Sequence, residues 1–148
     1  MSPARALLTV GWREWLALPA LGIAAIRAKI DTGARSSALH VEALERFRAG
    51  DREWVRFTVL PARDAERTVS CEAEIIDVRP VTDSGGRTTE RPFIRTLLAV
   101  AGQSWPIEIN LTRRTHMLFP MLLGRTAMAG RMLVDPSASF LLGEPAAP

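Results

Sequence analysis

The chain has 148 residues, 47% of them hydrophobic, and its 19 lysines and arginines exceed its 16 acids by enough to give a formal net charge of +3. This length supports one domain with a substantial core, and the apolar content is too high for a disordered chain. All but one of the cations are arginines, whose very high pKa lifts the isoelectric point even when their excess is small. The composition therefore does not indicate a nucleic-acid-binding protein.

The sequence also indicates where the protein is located and how many domains it has. Cys71 is the only cysteine, which excludes a disulfide within the chain and favours a reducing compartment. The apolar run from Leu16 to Ile26 contains Pro19 and Gly22 and is too short to span a bilayer. We therefore predict a single domain over residues 1–148, located in the cytoplasm, with neither membrane nor nucleic acid among its partners.

The predicted elements are nearly all short strands, because apolar residues recur at every second position between turn residues. In chain order they cover residues 12–18, 23–30, 38–47, 54–60, 69–78, 93–100, 105–111, 121–123 and 132–134. Only residues 125–129 have a helical pattern, of one turn. The polar stretch 79–91 holds Asp83-Ser84-Gly85-Gly86, which is typical of a hairpin tip. The pattern predicts an all-β domain.

One four-residue motif can carry chemistry. Asp31-Thr32-Gly33-Ala34 directly follows a hydrophobic strand, so the carboxylate emerges where that strand ends. Gly33 allows a tight turn beside it, and Thr32 offers a hydroxyl to the equivalent loop of a second copy. An isolated triplet of this kind is more often a turn whose aspartate caps backbone amides. The motif therefore needs support from a second element.

Residues 119–125, Phe-Pro-Met-Leu-Leu-Gly-Arg, supply that second element much later in the chain. In their type and order the two motifs resemble those of the retroviral aspartic proteases, the retropepsins. The resemblance implies that the strand ending at Gly124 passes closely behind the catalytic loop, because a glycine permits that approach. It also implies that Leu122 and Leu123 pack against the loop.

Longer stretches resemble one bacterial family. They are residues 11–15 (GWREW), 28–40 (AKIDTGARSSALH), 107–112 (IEINLT), 119–125 (FPMLLGR) and 133–137 (LVDPS). They are similar to the bacterial retropepsin-like family often labelled ATP-dependent zinc proteases, whose genes often lie beside those of ATP-grasp ligases that add glutamate to proteins. The resemblance implies an acid-protease barrel with one short C-terminal helix. It also suggests glutamate-rich or glutamylated protein substrates.

The residues support neither half of that label. A zinc peptidase typically carries two histidines one helical turn apart with a glutamate between them, whereas His40 and His116 are the only histidines and lie far apart. ATP hydrolysis typically uses a Gly-x-x-x-x-Gly-Lys-Ser/Thr loop, which does not occur here. We therefore expect neither a metal nor a cofactor. A zinc peptidase and a non-catalytic β-domain for binding or assembly are kept as the alternatives.

An aspartic peptidase needs two carboxylates that share a proton. Asp83 is the tempting internal partner of Asp31, but about fifty residues cannot form the second lobe that pepsin-like enzymes devote to each aspartate. No buried strand is expected before Asp83 either. The second carboxylate must then be the Asp31 of another chain, which predicts a homodimer with peptide or protein substrates. Ser84, Gly85 and Gly86 are predicted to form a flap over the substrate.

The residues around the motif suggest how a substrate is chosen. Retropepsins usually have an acid where this chain has Arg35, and that acid pairs with the arginine found here as Arg125. Two arginines near the cleft can instead bind the carboxylate of an acidic substrate. The alternative is that Arg35 pairs with Glu108 or another acid. Ala34 offers no hydroxyl to the ionised pair, so we expect a pH optimum of about 5 to 7 rather than about 2.

Overall fold

The computed structural model describes residues 6–62, 65–113 and 118–143. Nearly all of its regular elements are strands, which confirms the mostly-β prediction, and they are joined by a 3₁₀ turn at Pro19–Leu21 and one short helix. In chain order the elements are β1 (Leu8–Val10), β2 (Arg13–Leu18), β3 (Ile23–Asp31), β4 (Ser37–Val41), β5 (Ala43–Ala49), β6 (Arg52–Val59), β7 (Val69–Glu74), β8 (Asp77–Thr82), β9 (Thr88–Val100), β10 (Gln103–Arg113), β11 (Met121–Gly124), α1 (Arg125–Met128) and β12 (Met132–Val134).

Six strands close into a barrel in the order β10-β4-β11-β3-β2-β9, and antiparallel pairing of β9 with β10 completes the ring. The strands close around an apolar core because alternate residues face it. In β3, Ile26, Ala28 and Ile30 point into the core, while Arg27 and Lys29 point away from it. Two of the pairings, β3 with β11 and β4 with β10, are parallel. This closure confirms the predicted acid-protease barrel.

Two predicted strands are each divided in the structure, which corrects the expectation for residues 38–47 and 69–78. After β4, the backbone N–H of Glu42 donates to Thr58 of another sheet. After β7, the N–H of Ile75 donates to Glu53 and that of Ile76 donates to Phe93, so consecutive residues bond to different sheets. The apolar alternation shifts by one position near each point, where Ala43 adjoins Leu44 and Ile75 adjoins Ile76. That shift alone does not reveal which strand becomes the new partner.

The stretch 79–91 also differs from expectation. Residues 79–82 complete β8 and residues 88–91 begin β9, so both flanks are paired strands. The pairing runs from Asp77 opposite Phe93 to Thr82 opposite Thr88, which leaves residues 83–87 as the connecting turn. The predicted hairpin is therefore present, with longer arms than expected. As predicted, the strand before Asp83 is not a buried one.

A separate three-stranded sheet, β5-β6-β7, packs beside the barrel. Val55, Phe57 and Val59 of β6 are buried, while Arg–Glu pairs such as Arg56 with Glu72 cross its outer face. Exposed ion pairs of this kind contribute little to stability. Burial of the inner face therefore holds this sheet in place.

Both ends of the described chain meet beside the barrel. β1 pairs in parallel with β12, and the fully buried carboxylate of Glu14 accepts backbone N–H bonds from Gly11 (2.7 Å), Leu141 (2.9 Å) and Leu142 (3.2 Å). A buried carboxylate is tolerated when several donors satisfy it. Within the described ranges, no helix has the length and apolar character needed to cross a bilayer.

Candidate active site

Asp31 is the last residue of β3, and its backbone lies opposite Gly124 of β11. The side chain is half-buried, while Thr32 and Gly33 are exposed. The carboxylate oxygen Oδ1 accepts the N–H of Gly33 at 2.9 Å, which holds it over its own turn. The carboxylate is therefore fixed locally and is not sealed in the interior.

The turn after Asp31 is clasped by the end of β11 and the start of α1. The N–H of Arg125 donates to the carbonyl of Ala34 at 2.8 Å, and the hydroxyl of Thr126 donates to the carbonyl of Arg35 at 2.7 Å. The guanidinium of Arg125 donates to the carbonyl of Gly33 at 3.2 Å. The backbone carbonyls of Gly33, Ala34 and Arg35 thus all accept hydrogen bonds from Arg125 or Thr126. The sequence did not indicate this role of Thr126.

Gly124 allows this close approach. A Cβ at residue 124 would lie 2.6 Å from both the carbonyl carbon and the oxygen of Ser36, which are backbone atoms that cannot rotate away. The N–H of Gly124 donates to the buried hydroxyl of Ser37 at 3.0 Å. The two preceding leucines have different environments. Leu123 is fully buried in the core, whereas Leu122 lines the cavity beside Asp31.

That cavity has a volume of about 560 Å³. The turn at Asp31 contributes Asp31, Gly33 and Ala34 to its wall, and the hairpin contributes residues 81–84. Trp12, Phe119 and Leu118 supply apolar surface. The hairpin and the turn at Asp31 thus line the same cavity.

The hairpin residues have distinct positions. Ser84 lines the cavity, while Gly85 and Gly86 lie at the exposed tip, where Gly86 has a φ of +84°. Asp83 also lines the cavity, and its Oδ1 accepts the N–H groups of Gly85 (2.9 Å) and Arg87 (3.0 Å). Asp83 therefore caps the hairpin turn.

The two arginines considered for substrate binding lie on different sides of the turn. Arg35 is exposed and lines a second cavity of about 620 Å³ with Arg79 and Phe93. Glu108, considered as its partner, instead pairs with Arg79 at 3.3 Å. Arg125 lines neither of these two cavities, and its bond to Gly33 supports the turn. Of the two arginines, only Arg35 thus lines one of these two cavities.

A buried polar network that the sequence did not reveal supports the same region. Arg91 is 7% exposed, and its Nη1 donates to Oδ1 of Asn110 at 3.1 Å. Asn110 in turn donates to the carbonyl of Ser37 at 2.8 Å. Because the hydroxyl of Ser37 holds Gly124, this network links β9 to the segment behind Asp31.

The histidines were considered as metal ligands. His40 lines the cavity, and His116 lies outside the described residues. In the part of the chain that the structure describes, no three His, Cys, Asp or Glu side chains are grouped so that they could share a metal ion.

Known proteins were compared with this chain. Probable alpha-L-glutamate ligases from Shewanella pealeana and Desulfotalea psychrophila are 40% and 41% identical to it, over 91% and 97% of this chain but only 30% and 31% of theirs. The chain therefore spans about a third of the length of these curated relatives.

A crystal structure of a Legionella pneumophila protein of unknown function matches 93% of this chain and 99% of its own length, with a TM-score of 0.76 and 28% identity. The family model of the retropepsin-like aspartic endopeptidase RimB matches residues 9–145, which include the turn at Asp31, the hairpin and Gly124. The chain therefore belongs to the RimB-like family of retropepsin-like aspartic endopeptidases.

Proposed function

We propose that this chain is one half of a homodimeric aspartic endopeptidase. The observation that carries the proposal is the position of Asp31, whose carboxylate lies at the edge of a cavity in a turn clasped by Gly124, Arg125 and Thr126. Thr32 and Gly33 are exposed beside it, so a second copy can approach. Asp83 is committed to capping its hairpin, which favours a partner chain as the source of the second carboxylate.

In the proposed reaction, the two Asp31 carboxylates share one proton. The ionised carboxylate takes a proton from a water molecule, whose oxygen forms a bond to the scissile carbonyl carbon. The protonated carboxyl of the other chain donates its proton to the carbonyl oxygen. Collapse of the tetrahedral intermediate breaks the C–N bond, and the leaving amine receives a proton from the pair.

We propose acidic proteins as substrates, including glutamate-rich or glutamylated ones. Two glutamate ligases contain a segment related to this chain, so a peptidase and a glutamate-adding activity are linked by their sequences. Arg35, exposed in the second cavity, can bind a substrate carboxylate through its planar guanidinium. The lone, buried Cys71 fits the cytoplasmic location in which such substrates are expected.

Peptide cleavage by wild type and by Asp31→Asn tests the proposal. Asparagine keeps the shape of the side chain but cannot exchange the proton, so we expect kcat to fall by about 10²- to 10⁴-fold. A pepstatin-like inhibitor should abolish wild-type cleavage and a chelator should not. Loss with the chelator would instead support a zinc peptidase, and equal cleavage by both proteins would contradict the assignment of Asp31.

The curated relatives favour one second candidate. Because their matched segment is about a third of proteins named ligases, the domain can instead be a non-catalytic module that binds or positions a ligase. A wild-type protein that binds such a ligase and cleaves no peptide would support this candidate.

A further inference from the structure

The floor of the cavity beside Asp31 is a row of residues on four neighbouring strands. Lys29 of β3 lies opposite Leu122 of β11, Leu122 lies opposite Ala38 of β4, and Ala38 lies opposite Asn110 of β10. All four residues line the cavity. Lys29 and Asp31 are two positions apart on one strand, so their side chains share a face. The floor therefore runs from Lys29, next to the catalytic carboxylate, to Asn110.

One end of this floor carries a cation without a described acidic partner. Lys29 is the only lysine in the chain and is exposed, and among the described residues it forms no ion pair. Arg27, two positions earlier on the same face, differs because its guanidinium lies 5.7 Å and 5.4 Å from the ring centroids of Phe119 and Phe140. Arg27 is thus held by aromatic rings, whereas Lys29 lines the cavity in which a substrate would lie.

The other end of the floor carries a buried cation. Arg91 lines the cavity although only 7% of its surface is exposed. Its Nε donates to Thr89 at 3.1 Å and its Nη1 donates to Asn110 at 3.1 Å, which fixes the plane of the guanidinium. A positive charge in a low-dielectric site attracts a carboxylate more strongly than one in water. Asn110 acts as a positioning residue for this charge.

We infer that Lys29 and Arg91 are specificity-determining residues that bind two acidic side chains of one substrate segment. The inference rests on the proposed peptidase function and locates its acid recognition on the cavity floor rather than at Arg35 alone. Three strand spacings separate Lys29 from Asn110, about 14 Å. An extended peptide laid along this row advances about 3.3 Å per residue, so the two acidic residues are about four positions apart.

Peptides that carry Glu, Gln or Lys at each position in turn test the inference. Wild type should favour Glu over Gln by about tenfold in kcat/KM at two positions, as expected for a hydrogen bond to a charged group. Lys29→Met should remove the preference at one position only, and Lys29→Glu should reverse it in favour of Lys there. Glu-to-Gln ratios that are the same in wild type and in both variants would overturn the role of Lys29.

The controls separate this role from a general charge effect. Arg95→Met removes an exposed cation of β9 that lines neither cavity, so it should leave both ratios unchanged. Arg35→Ala tests the second cavity separately. Arg91→Gln should remove the preference for Glu at the second position. If Arg91→Gln does not fold, Arg91→Lys, which keeps the charge but not the planar guanidinium, should retain only part of that preference. If wild type cleaves no peptide, the proposed function fails; if it cleaves without these preferences, only this inference fails.

Discussion

At the scale of single residues, the environment of Cys71 clearly shifts the ionisation of its thiol. Its thiol is 4% exposed, the sulfur lies 3.4 Å from the carbonyl oxygen of Leu21, and burial raises its pKa to about 11. The thiol of an unfolded cysteine has a pKa of about 8.5. The thiol's contribution to stability is therefore fully present below that pH and is lost as the pH rises towards 11.

The composition makes this effect measurable. The chain has no tyrosine and a single lysine, so few other side chains titrate in the same range. We predict that the free energy of unfolding, measured with urea, falls between about pH 8.5 and about pH 11. Cys71→Ala should flatten that slope. An equal slope in the variant and the wild type would show that another group is responsible.

Single residues also show how far the site can be predicted from sequence. Asp31, Thr32 and Gly33 were located because their motif is contiguous and follows an apolar strand. Ser37 and Asn110 could not be assigned a role, because the hydroxyl of Ser37 meets Gly124 only after β4 and β11 have paired. Asn110 occupies an ordinary polar position between Ile109 and Leu111, which gives no signal of its role.

At the scale of elements, the passage of β11 behind the catalytic turn is the most demanding contact. In Gly124→Ala the new methyl group would meet the backbone of Ser36 at 2.6 Å, so either β11 or the turn must move. We predict a loss of about 1–3 kcal/mol in unfolding free energy, the range for overpacking, together with loss of peptidase activity.

A matched glycine variant controls for the general effect of replacing glycine. At Gly85 a Cβ would meet only Oδ1 of Asp83, at 3.4 Å, which is ordinary contact. Gly85→Ala should therefore change the unfolding free energy by less than about 1 kcal/mol. Similar losses in the two variants would contradict the idea that the approach at Gly124 is the cause.

The elements also show which part of the fold a sequence pattern can predict. The strands of the barrel were found because one face of each is apolar, as in β3. The breaks at Glu42 and between Ile75 and Ile76 leave only a one-residue shift in the apolar pattern, although the hydrogen-bonding partner changes there. Where a strand pairs depends on distant residues, and a local period does not report it.

At the scale of the whole molecule, the proposed peptidase needs two chains that share one site. In the proposed dimer, each chain would contribute a half-buried Asp31 and one hairpin, which Asp83 caps. A site formed at a two-fold axis makes activity depend on the identity of both subunits. A site within one chain would not show that dependence.

Mixing subunits tests this claim most directly. Wild-type protein is refolded alone or with an equal amount of Asp31→Asn, and peptide cleavage is measured per wild-type chain, with serum albumin as the added protein in the control. Random pairing places about half of the wild-type chains in inactive mixed dimers, so the account predicts that activity falls by about half. Activity that is unchanged by the variant would contradict it, because each wild-type chain would then hold a complete site.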